Sequence, residues 1–183
     1  MTDMSSVQSQ KFNRMVTMAA FTLALSSVSI FLFRGPLSIL SAFLIPAIIV
    51  LFSRGYGRTY YILVFIGLLL TSALFFQTQL IFTAGYAFLA VGLRLFLVDR
   101  DMNLKLGISK TLLYLCSVIL ILFSGLWLTE KLFLIPLHTM MLKISGGQIH
   151  VYLGILLIES VLVTSCHILV LNGFLEKLKI RSF

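Results

Sequence analysis

Charge is the scarcest commodity in this chain of 183 residues: 14 Lys and Arg with six Asp and Glu make 11% of it, against about 25% in an ordinary soluble domain. With 60% of residues apolar and a mean hydropathy of +1.08, a water-soluble domain of this size has too little polar surface to cover itself. Cysteine is nearly as rare. Cys116 and Cys166 each sit inside an apolar run with no CxxC pairing and only His167 as a neighbouring donor, which excludes a disulfide framework and a zinc site and leaves buried free thiols as the expectation. The three histidines have no ligand spacing, and no H-E-x-x-H, G-x-S-x-G or P-loop pattern occurs. No catalytic residue, metal or cofactor is therefore expected.

The apolar residues fall in runs of about 18 to 25, the length a helix needs to cross roughly 30 Å of hydrocarbon. The runs lie at about Met15 to Phe33, Pro36 to Phe52, Tyr60 to Phe76, Leu80 to Val98, Ile108 to Leu128 and Val151 to Leu175. None alternates apolar and polar residues as a barrel strand does, so helices remain as the structure that satisfies its own backbone in lipid. The first run follows Lys11 and Arg14 but lacks an A-x-A-like cleavage site, and is expected to be retained as a helix. The expected fold is an all-α integral membrane bundle of six transmembrane helices spanning 15–175, with a cytoplasmic segment 1–14 and a basic cytoplasmic tail 176–183.

The formal charge of +8 belongs to the breaks between these runs, so it speaks for membrane orientation rather than nucleic acid. With the N-terminus inside, Lys11, Arg14, Arg54, Arg58, Arg94, Arg100, Lys105, Lys110, Lys177, Lys179 and Arg181 are cytoplasmic, and only Arg34, Lys131 and Lys143 are outside. That bias predicts both ends inside a bacterial cytoplasmic membrane. The long connection Thr129 to His150 is then external. It is too apolar for a plain solvated loop and too short to span, which leaves a lid, a re-entrant piece or an interfacial helix, with Gly146-Gly147 as a hinge or simply a turn.

Glu159 is the most informative side chain, because a carboxyl within an apolar helix costs about 2.5 kcal/mol or more unless it meets a partner or a wet cavity. At eight residues into the sixth run, it is expected roughly 12 Å below the outer end. Trp127, Tyr86 and Tyr152 fall towards the same side, and with His138 and His150 of the external connection they make a candidate pocket for a small-molecule ligand. The ordinary alternative for the aromatics is an interfacial belt, and for Glu159 an interhelical hydrogen bond. His167 continues the face of Glu159 with Ser160, Thr164 and Asn172 nearby, a pattern expected to be interhelical glue. Arg94 is expected to snorkel to the cytoplasmic headgroups. Ala20 and Ala24, extended by Thr17 and Ser27, allow close approach of another helix, either within the bundle or from a separate membrane subunit.

The basic lead-in Lys11 to Arg14, the first helix reading Ala20-Phe-Thr-Leu-Ala24, and the Pro46-containing second segment followed by a Gly-rich basic loop resemble the S components of energy-coupling factor transporters. That resemblance implies six helices with both ends inside, an external vitamin- or cofactor-like ligand, and docking of Ala20 and Ala24 on a coupling subunit that works with two ATPases. The stretch from Pro46 to Arg58, with Gly85-Tyr86 and Gly92-Leu93-Arg94, also resembles YybS-type bacterial membrane proteins, and the helix count resembles MreD. Those likenesses imply a structural or assembly subunit with no small ligand.

Overall fold

The computed structural model describes residues 3–33, 38–98, 104 and 106–180, with side chains described over 8–33, 40–98, 104 and 106–174. Of the basic residues used for orientation, Arg34, Arg100, Lys105 and Arg181, and the side chains of Lys177 and Lys179, lie outside that set. The described chain is helical, without strands. In order come α1 (Asp3–Leu32), α2 (Ser38–Phe52), α3 (Arg58–Phe75), a 3-10 turn (Gln77–Gln79), α4 (Leu80–Phe96), α5 (Ile108–Phe133), α6 (Leu137–Ile144) and α7 (Ile149–Ile180).

Five stretches, Gln8–Leu32, Arg58–Phe75, Gln77–Phe96, Ile108–Phe133 and Ile149–Phe174, are long and apolar enough to cross a bilayer. Large apolar side chains face outward along them, with Leu120 69% and Leu169 71% exposed. Such rows are an aggregation hazard in water and an ordinary surface in lipid. The second expected span, α2, is shorter at 15 described residues, yet it is the most deeply placed helix. Ser41, Ala42, Ile45, Ala47, Ile49 and Val50 are all buried in it, because α2 packs on α1, α4 and α7 together.

The other helices bury narrow stripes. On α3 these are Tyr60, Val64, Leu68 and Ser72, one residue per turn, which is what a peripheral helix touching neighbours on one side requires. On α5 the stripe is Tyr114, Val118, Leu122, Gly125 and Thr129. Helices α4 and α5 join through a reciprocal pair of holes. A β-carbon on Gly125 would stand 2.7 Å from the Phe82 ring, and one on Gly85 would stand 2.5 Å from Ile121. Small residues at such crossings let membrane helices gain dispersion contacts where no hydrophobic drive exists.

The expected external loop, Thr129 to His150, is mostly helix. Helix α5 continues through Thr129-Glu130-Lys131 to Phe133, because a helix that leaves hydrocarbon still satisfies its own backbone. It ends on Leu134 in the left-handed region at φ 58°, and Pro136 two residues later cannot extend it. Helix α6 then runs eight residues across the ends of α5 and α7. Gly146 and Gly147, at φ 66° and 76°, close it: the Gly147 N–H donates to Leu142 O at 2.8 Å and the Gly146 N–H to Lys143 O at 3.0 Å. That is a helix-terminating Schellman pattern, so the glycine pair has a structural duty before any hinge role.

Candidate functional site

Helix directions alternate, so one end of the bundle carries α6 and the opposite end carries Arg14, Arg54, Arg58 and Arg94. Helices α2, α4, α5 and α7 touch in a cycle, α2 to α4 to α5 to α7 and back to α2, with α1 and α3 packed outside it. Inside this ring lies a run of buried polar side chains.

At its middle, His167 of α7 is fully buried, and both ring nitrogens are engaged. Its Nε2 lies 2.9 Å from the Phe43 carbonyl of α2, and its Nδ1 lies 2.9 Å from the Tyr114 hydroxyl of α5. A carbonyl only accepts, so Nε2 carries the proton, Nδ1 accepts, and Tyr114 donates. Pro46 removes the N–H that would bond Ala42 O, and His167 binds the neighbouring carbonyl, Phe43 O. The expectation that His167 is interhelical glue agrees with this geometry, and neither nitrogen is left to exchange protons with Glu159.

Towards the α6 end, the fully buried Tyr152 of α7 meets His138 of α6 with ring centroids 5.3 Å apart and Phe123 of α5 at 6.2 Å. Phe123 and His138 are themselves edge-to-face at 6.0 Å, so three helices share one aromatic cluster. Glu159 lies half-buried on α7, two turns below Tyr152, and Tyr86 is buried on α4. Of the six expected ligand residues, only Tyr152 and His138 are seen packed together. The Tyr152 hydroxyl and the Thr129 hydroxyl are both buried without a hydrogen-bond partner. Each such orphan costs about 1–3 kcal/mol, which makes the pair conspicuous in one region.

Trp127 and His150 stand apart. Trp127 lies two residues beyond Gly125, about 200° around the helix, and is 45% exposed on the outward face of α5. His150 is exposed in the first turn of α7. Cys116 and Cys166 are free but lie exposed on α5 and α7, which corrects the expectation of buried thiols. No group of three or more His, Cys, Asp or Glu among the described residues is placed to hold a metal ion.

Glu130 and Thr139 carry a contact that the sequence did not single out. One Glu130 carboxylate oxygen accepts the Thr139 backbone N–H at 2.8 Å and the other its hydroxyl at 2.6 Å, tying the first turn of α6 to the end of α5. An acid three residues ahead of a helical turn's free N–H groups is a recognisable capping signal, but here the acid comes from the preceding helix.

At the opposite end, the Thr22 hydroxyl donates to Met18 O at 2.8 Å, which leaves the Tyr60 hydroxyl to donate to Thr22 at 2.6 Å and pin α1 to α3. The Tyr61 hydroxyl donates to Ser53 at 2.8 Å, near Arg94. The partner-docking candidates divide: Ala20 and Ala24 are exposed on α1 and Ser27 is half-buried, while the face turned inward is Ala19, Thr22, Ser26 and Ser29. No family model matches this chain, and no curated protein or solved structure matches it.

Proposed function

We propose that this protein is a multi-pass subunit of a bacterial cytoplasmic membrane that captures a small vitamin- or cofactor-like molecule from outside and docks on a coupling subunit. Both termini are cytoplasmic, α2 is the sixth crossing, and the α6 end faces outward. The bias of Lys and Arg supports that orientation. The observation that carries the ligand reading is the half-buried Glu159 carboxyl two turns below the unpartnered Tyr152 hydroxyl, beneath a short helix tethered by Glu130. A polar group left idle inside a membrane bundle is expensive unless something else occupies it at work. Helix α6 covers that end and is held by few bonds, so it is the element that would move to admit a ligand.

Native mass spectrometry of the detergent-purified protein tests this. A small molecule should co-purify with wild type and with Trp127→Ala, whose outward side chain serves as a control, and should be lost from Glu159→Ala. Retention by Glu159→Ala refutes the site, and its absence from wild type counts against ligand capture altogether.

One observation favours a second reading, a non-catalytic structural or assembly subunit. The small residues Ala20 and Ala24 are turned out of the bundle, where a partner helix rather than an internal neighbour would fill the space. Under it, Ala24→Leu should release a co-purifying membrane subunit, and no small molecule should shift the melting temperature.

A further inference from the structure

A groove of about 170 Å³ lies between α3 and α4, with α2 behind it. Its floor is buried: Ile49 of α2, Val64 of α3 and Ala87 of α4, whose small side chain leaves the gap. Its rim is turned outward, with Ile62 55%, Phe88 59% and Val91 38% exposed. The one polar side chain on the lining is Tyr61, and its hydroxyl already donates to Ser53 at 2.8 Å. No side-chain donor on that lining is therefore left for a polar ligand, and the volume falls below the roughly 300–1,000 Å³ that encloses a drug-sized molecule. A hydrocarbon chain suits it, being apolar, narrow and present in lipid all along the exposed rim.

The groove points at the basic end of the bundle. Arg58 precedes Tyr61 by three residues and Ile62 by four on α3, and Arg94 follows Val91 by three on α4, so each arginine stands one turn past the groove on the face that lines it. Away from that end the Phe65 and Phe88 rings meet edge-on with centroids 5.2 Å apart and close the space between the helices. From this we infer that the groove seats one acyl chain of an anionic phospholipid whose phosphate is held by Arg58 and Arg94. A guanidinium carries five N–H donors, so it can take a phosphate beside another partner. The apolar groove alone would accept the chain of any lipid, and the cations at its mouth select the negative headgroup. The inference does not rest on ligand capture.

The test is retention of lipid by the purified full-length protein in detergent, read by native mass spectrometry and thermal shift. Palmitoyl-oleoyl phosphatidylglycerol is the anionic probe, and phosphatidylcholine with the same two chains is its zwitterionic match. The anionic lipid should be retained as one tightly held copy per chain and raise the melting temperature, with phosphatidylcholine weaker by about tenfold or more. Replacing both cations, Arg58→Gln with Arg94→Gln, should bring the two lipids to equal affinity. Val91→Trp fills the groove from its exposed rim and should weaken both lipids while the charges stay. Lys11→Gln with Arg14→Gln removes two exposed charges at the same end from α1, which lines none of the groove, and should change neither affinity.

Equal or no retention of the two lipids by wild type, an unchanged preference in the double arginine variant, or Val91→Trp with wild-type affinity for the anionic lipid overturns the inference. So does loss of the preference in the Lys11→Gln, Arg14→Gln variant, because charge at that end would then act without the groove. Release of a co-purifying membrane subunit by Val91→Trp, with lipid binding intact, would assign the groove to a protein helix instead. Folding of Val91→Trp is checked by circular dichroism, and Ile62→Trp on the opposite rim replaces it where it fails to fold.

Discussion

Tyr114 and His167 show what a polar residue does when the surrounding medium offers no water. Each is wholly buried, and their hydrogen bond at 2.9 Å joins α5 to α7 while the other imidazole nitrogen reaches α2. Tyr114→Phe leaves the ring in place and strands Nδ1 without a donor. The expected cost is about 1–3 kcal/mol, read as a lower midpoint of unfolding in detergent, with Cys116→Ser on the outward face of the same helix as a near-neutral control. Equal midpoints for Tyr114→Phe and wild type would mean that the bond contributes nothing. His167 itself was legible, because a lone imidazole in an apolar helix must find partners. The partners were not. Tyr114 is one tyrosine among six in the chain, and only the packing angle of α5 against α7 selects it. Trp127 was grouped with the pocket by depth alone, and the 200° that separates it from Gly125 is a matter of helix rotation that depth does not report.

Among the helices, the sequence marks positions along the chain better than contacts across it. Apolar runs located five long helices, since hydrocarbon thickness sets a length that composition records. Helix α1, however, starts at Asp3, well before the expected Met15, because its polar first turns continue the same helix. The connection 129–150 was harder, because α6 is only eight residues and its beginning is secured from α5 by Glu130 rather than by its own cap. The small-residue contacts were also displaced. Attention to Ala20 and Ala24 missed the close crossing of α4 and α5 at Gly85 and Gly125, where each glycine receives a large side chain of the other helix. Gly125→Ala places a methyl 2.7 Å from Cε1 and 2.9 Å from Cδ1 on one edge of the rigid Phe82 ring. A loss of about 1–3 kcal/mol is expected from such overpacking, while Gly154→Ala on α7, where nothing stands within 4 Å, should leave the unfolding midpoint unchanged or raised. Equal effects of the two substitutions would argue that α4 and α5 cross elsewhere.

Over the whole molecule, an outward apolar surface surrounds an inward column of polar groups. Outward leucines and isoleucines ask for lipid; the helices α2, α4, α5 and α7 bury Tyr114, His167, Tyr86 and Tyr152. Ligand capture from outside depends on which face α6 occupies. On a Cys116→Ser, Cys166→Ser background, Lys143→Cys on α6 and Arg58→Cys at the start of α3 place one thiol at each end of the bundle. A membrane-impermeant maleimide added to intact cells should label Lys143→Cys directly and Arg58→Cys only after the membrane is permeabilised. Labelling of Arg58→Cys in intact cells with Lys143→Cys protected would put the column's opening in the cytoplasm and contradict capture from outside.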